Sequence, residues 1–224
     1  MFRETRSQIE GEGIRVAGIM AYPDFVNPDA QTREKEMELL EGDLVLAKEI
    51  GADFIRVTAG QQNKEIKRDE GIEMAALGIL RAVEMAKSYG ISVLYEHHAK
   101  PSVWEYPDFN LPVDIFLEIY EKVKHAELRV LFDTANPLVY GVDPMPLLEQ
   151  VYENVGCVHI SDIKTKGKQE MTVIGTGIVP IKEVITYLKH RGYNGWISLE
   201  EASHTGYAGA ETAAKTVISM WQDS

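Results

Sequence analysis

Four residues able to bind a metal or move a proton stand in matching places along the chain: Glu96, Asp133, His159 and Glu200. Each closes a short apolar run, beginning at Ile91, Val130, Gly156 and Trp196 respectively. Successive side chains of a strand point to opposite faces. If Ile197 and Leu199 lie under helices, then Trp196, Ser198 and Glu200 share the inner face. The same parity turns His159 inward with Cys157 and Ser161, Asp133 away from Val130 and Phe132, and Glu96 away from Val93 and Tyr95. Each residue taken singly has an ordinary structural reading. A carboxylate just after a strand often caps a helix or turns the chain, and an inward histidine is often a hydrogen-bonded core residue. Taken together, two glutamates, an aspartate and a histidine at the same end of four strands point to a divalent cation, because buried carboxylates repel one another and resist ionisation. Three carboxylates and one imidazole suit Mn²⁺, Mg²⁺ or Co²⁺, with Zn²⁺ also compatible.

The elements that must position these residues are legible as an alternation. Residues 2–12 read as the end of a helix, and 14–21 (IRVAGIMA) as a strand. Met37, Leu40, Leu44, Ala47 and Ile50 recur at spacings of three and four, which predicts a helix over 32–50 stopped by Gly51. Strands at 54–59, 91–95, 130–132, 156–161 and 195–199 then alternate with helices at 70–89, 111–126, 144–152, 180–190 and 208–221, with Pro144 and Pro180 suited to first turns. Strict alternation implies right-handed crossovers and a parallel sheet. No G-x-G-x-x-G follows a strand, and Gly175-Thr176-Gly177 does not follow its strand directly, so it is weak as a phosphate loop. Ligands from many strand ends favour a (β/α) barrel over a doubly wound sheet. With no linker or composition shift, residues 1–224 are expected to form one domain.

Composition narrows the function. The 224 residues are 45% hydrophobic and 26% charged, with net charge -12, which disfavours a nucleic-acid surface. No apolar run reaches 18 residues, the N-terminus lacks an apolar signal core, and the single cysteine, Cys157, suits a reducing compartment, so a cytoplasmic location is expected.

The stretches Leu94-Tyr95-Glu96-His97-His98, Phe132-Asp133-Thr134-Ala135-Asn136, Val158-His159-Ile160-Ser161-Asp162 and Gly192–Glu200 resemble the sugar phosphate isomerase/epimerase family of xylose isomerase-like TIM barrels, over roughly residues 14–222. The resemblance implies that Glu96, Asp133, His159 and Glu200 bind one divalent metal and that Glu96 and Glu200 form the acid/base pair. It implies an isomerase or epimerase of a sugar or sugar phosphate, acting through proton transfer and a metal-stabilised enediolate. The alternative on the same scaffold is a dehydratase of a cyclic hydroxyketone, of the dehydroshikimate or inosose type. A further alternative is a non-catalytic barrel remnant that binds a ligand or partner. The related endonuclease IV barrel is disfavoured by the charge and by six histidines.

Three features depart from the family. Aligned on its motifs, the first strand of this chain matches the third of the barrel. Two β-α units, about 45 residues of a typical ~250, therefore lie outside it. About six of eight strands remain, and the incomplete wall predicts a homo-oligomer. Asn136 stands where ketose epimerases carry a histidine, and no arginine follows His159, Lys164 being the nearest cation. Secondary substrate-binding candidates are His98, Asn136, Lys164 and Trp104, the last in a long loop, 100–110, able to cover a site. Arg56 and Gln61 flank the end of the second strand, and Asp162 either orients the neighbours of His159 or caps the next segment.

Overall fold

The computed structural model describes residues 2–224. Six strands alternate with helices in the TIM-barrel-like (β/α) manner: α1 (Phe2–Gly11), β1 (Gly18–Met20), α2 (Ala30–Ile50), β2 (Phe54–Val57), α3 (Arg68–Lys87), β3 (Ser92–Glu96), α4 (Val113–Val123), β4 (Arg129–Asp133), α5 (Asn136–Tyr140), α6 (Pro144–Val151), β5 (Val155–Ile160), α7 (Ile181–His190), β6 (Trp196–Leu199) and α8 (Tyr207–Gln222). The chain forms two compact units, divided after Val130. Among the described residues no helix is long and apolar enough to cross a membrane.

In the first unit β1, β2 and β3 are neighbours in chain order and parallel. The predicted strand at 14–21 is shorter than expected. Only Gly18, Ile19 and Met20 pair, opposite Phe54, Ile55 and Arg56, and Ile14 is 57% exposed. The reason is local. Ile14 N–H is taken by the α1 carbonyl of Ile9, and Gly13 turns the chain with a positive φ of 71°. α2 begins where Asp29 accepts N–H bonds from Gln31 and Thr32 and ends at Gly51 in the left-handed conformation (φ 76°), whose N–H returns to Ala47 and Lys48 carbonyls. Its predicted stripe, Met37, Leu40, Leu44 and Ala47, is buried.

In the second unit β5 and β6 run parallel, with His159 opposite Ser198 and Ile160 opposite Leu199. Ile197 and Leu199 line an apolar groove with Ala214, Val217 and Trp221 of α8. The aliphatic parity of β6 therefore does lie against a helix. Pro144 opens α6 behind the cap Asp143. Pro180 differs from expectation: it is the N-cap of α7 rather than a first-turn residue, because its neighbour Ile181 already bonds Val179 in a tight turn. The short helix α5 was not anticipated. Its five residues are too few to show a period.

Candidate metal centre

In the second unit Asp133, His159 and Glu200 each offer a ligand atom within 4.8 Å of the others. β4 ends on Asp133, which is 2% exposed. Its Oδ1 accepts the N–H groups of Ala135 (2.9 Å) and Asn136 (2.6 Å), and its Oδ2 accepts the Ser161 hydroxyl at 2.7 Å. The capping reading and the ligand reading of this aspartate therefore coexist: one oxygen turns the chain into α5 while the carboxyl faces the strand ends. Burial pushes its pKa up to about 6, the negative charge of Glu200 adds to the rise, and the Ser161 hydroxyl, His159 and the Asn136 N–H oppose it. His159, 6% exposed, sits with Nδ1 3.0 Å from Glu200 Oε2. Glu200 directly follows β6 and its side chain is 45% exposed. A cation suits this donor set, because it would offset the burial and the nearby Glu200 charge that together raise the Asp133 pKa.

In the first unit Glu96 ends β3 and is wholly buried. Arg56, in the middle of β2, lies beside it with Nε 2.9 Å from Glu96 Oε2. Arg56 Nη1 donates to the Ala21 carbonyl at 2.8 Å, and its guanidinium lies 4.2 Å from the Tyr22 ring centroid. The spacing of Phe54-Ile55-Arg56-Val57 contains the signal for this pair: one charge inside an apolar strand, on the parity that register extends to Glu96.

The other candidates fall in different places. His98 is buried, edge-on to Tyr22 with ring centroids 5.7 Å apart, and its Nδ1 is 3.7 Å from Asp108 Oδ2. Asp108 is fully buried, and that burial pushes its carboxyl well above the usual range. Trp104 is 9% exposed and makes a T-shaped contact with Tyr22, ring centroids 6.0 Å apart. Its loop is less free than its length suggested. Asp108 N–H bonds Ala99 O, Phe109 N–H bonds Gly60 O, and Gln62 N–H bonds Pro107 O, while Asn110 donates to Glu96 O and accepts from His98 N–H. Asn136 is half-buried at the start of α5, and Lys164 is exposed in the loop after β5.

That loop explains two sequence features together. Asp162 is 1% exposed. Its Oδ1 accepts from Ile163 and Val179 N–H, and its Oδ2 from Gly175 and Gly177 N–H, at 2.8–3.1 Å. A Cβ at Gly177 would collide with this carboxylate and with the Ile163 carbonyl oxygen. The Gly175-Thr176-Gly177 motif thus wraps a carboxylate of its own chain, and Asp162 organises its own loop.

Comparison with known proteins bears on the fold and the family. An inosose dehydratase of Bacillus anthracis (strain CDC 684 / NRRL 3495) is 25% identical over 155 residues, covering 62% of this chain and 50% of that protein. The chain spans about half the length of the curated relatives it matches. Among solved structures, the IolI protein with a bound zinc atom superposes with a TM-score of 0.83 at 15% identity, covering 99% of this chain and 82% of the other. A D-tagatose 3-epimerase-like protein does so with a TM-score of 0.82 at 18% identity, covering 99% and 84%. At these identities the superpositions show the fold. The model of the xylose isomerase-like TIM barrel matches residues 1–223, and the chain belongs to that family.

Proposed function

We propose that this protein is a metal-dependent enzyme that moves a proton next to the carbonyl of a sugar or polyol ketone. Asp133, His159 and Glu200, with Glu96 as the fourth ligand, would hold one divalent ion. The observation that carries the reading is the approach of Asp133, His159 and Glu200 within 4.8 Å at strand ends, with Asp133 buried and resisting ionisation. Glu96 joins them in the proposal because it ends β3 with the same parity and is fully buried. When bound, the ion would supply a Lewis acid for the substrate oxygens. The two glutamates would take and return the proton, Glu200 from the more exposed position and Glu96 from the buried one. His159 and Ser161 hold Glu200 and Asp133 in place.

Isomerisation or epimerisation is the first reading of the reaction. Dehydration of a cyclic hydroxyketone is the second, favoured by Asn136, an uncharged residue where ketose epimerases carry a histidine, and by similarity to inosose dehydratases. Both begin with the same proton abstraction. Incubation in D₂O with Mn²⁺ and a panel of ketoses and inososes, followed by NMR, tests the shared step. Deuterium should enter beside the carbonyl, and loss of water or a new epimer separates the two readings. A protein that takes up no divalent ion and exchanges no proton refutes both.

A further inference from the structure

Tyr22, Arg56 and Glu96 form a row across the first unit. The register pairs Met20 with Arg56 and Arg56 with Leu94. Tyr22 and Glu96 each lie two residues beyond those partners, so all three have one parity. Arg56 and Glu96 side chains are 2% and 1% exposed. A buried ion pair is poor value as a structural device, since well-packed apolar residues of similar volume often do as well or better. In Phe54-Ile55-Arg56-Val57 an apolar residue would serve the core at position 56. The arginine is nevertheless held on three sides: by the Ala21 carbonyl, by the face of Tyr22 and by Glu96. Tyr22 is itself buttressed by T-shaped contacts with His98 and Trp104.

From this geometry we infer that Arg56, seated on Tyr22, is a positioning residue that fixes the Glu96 carboxylate in one orientation for metal binding. The inference rests on Glu96 being a metal ligand. Nε lies 2.9 Å from Glu96 Oε2 as an ion pair rather than an aligned hydrogen bond, and this attraction draws that oxygen towards the guanidinium and so biases which way the other one faces. Two effects oppose each other when Arg56 is removed. Loss of a nearby cation favours a second cation electrostatically. Loss of orientation leaves a buried carboxylate without its ion-pair partner, free to turn away from the ion. Groups that orient a metal ligand typically contribute about 10–100-fold in metal affinity, so orientation should win.

The test uses Co²⁺ alone as probe, read by titration and by its visible absorption bands. Arg56→Met should weaken Co²⁺ binding roughly 10–100-fold and change the spectrum, with Arg56→Lys recovering part of both. Glu96→Gln should also weaken binding, and Arg56→Met added to Glu96→Gln should weaken it no further, because the effect passes through that carboxylate. The double variant carries no unpaired buried charge. If Arg56→Met does not fold, Tyr22→Leu removes the supporting ring without touching Glu96, and should weaken binding several-fold with a spectral change. Unchanged or tighter binding with an unchanged spectrum in the folded variants overturns the inference while the metal reading stands. Additive losses in the double variant overturn it too. A wild-type protein that takes up no Co²⁺ defeats the metal reading, and the inference with it.

Discussion

Replacing Asp162 by Asn is the sharpest test of how the loop after β5 is built. The side chain keeps its size and loses one acceptor oxygen. Whichever way the amide turns, an NH₂ group faces two backbone donors: Ile163 and Val179 on one side, or Gly175 and Gly177 on the other. An unsatisfied buried donor costs about 1–3 kcal/mol. The Gly175 side of the cradle is the more exposed, so the amide group should settle there and water should recover part of the loss. The expected net destabilisation is about 3 kcal/mol. For a chain of this size that lowers the melting temperature by roughly 6–12 °C. Calorimetry measures the total, and hydrogen exchange locates it. The amides of Gly175 and Gly177 should lose protection while those of α2 in the first unit keep theirs. A loss below about 0.5 kcal/mol, with both glycine amides still protected, would refute the reasoning and make the four bonds incidental.

Two titrations should show opposite signs in the metal-free protein. Burial lowers the His97 pKa from 6.5 to about 4. Its Nε2 lies 2.8 Å from the Leu111 carbonyl, so that nitrogen carries the proton of the neutral ring. Its stabilising contribution, about 3 kcal/mol, is fully present above pH 6.5 and lost as pH falls towards 4. Asp133 is raised from 3.8 to about 6. Its contribution is present below pH 3.8 and lost as pH rises through about 6. Denaturant curves of wild type against His97→Gln and Asp133→Asn between pH 4 and 7 should give difference slopes of opposite sign, and parallel slopes would contradict the assignment. Adding Mn²⁺ at pH 7 should raise the melting temperature of wild type and not of His159→Ala, since ligand binding to the folded state stabilises it. Self-association is checked by sedimentation, where a clean monomer would exclude a homo-oligomer.

The sequence by itself determined the alternation of strands and helices and the inward parity at the strand ends. These depend on periods of two and 3.6 and on caps such as Asp29 and Gly51, all local properties of the chain. It also determined that Asp133, His159 and Glu200 would point the same way, because a strand leaves each side chain only two directions. Only the tertiary structure decided what those residues meet. Arg56 looked like a flanking charge until the register of β1, β2 and β3 placed it between Tyr22 and Glu96. Asp162 and the Gly175-Thr176-Gly177 motif, 13 to 15 residues apart, looked unrelated until the loop closed around the carboxylate. Trp104 stood in a loop long enough to move freely, yet bonds to Ala99, Gly60 and Gln62 stitch that loop down. Hydrogen-bond partners distant in sequence leave no period and no composition signal. They exist only once the backbone brings donors and acceptors together and burial makes each unpaired group costly.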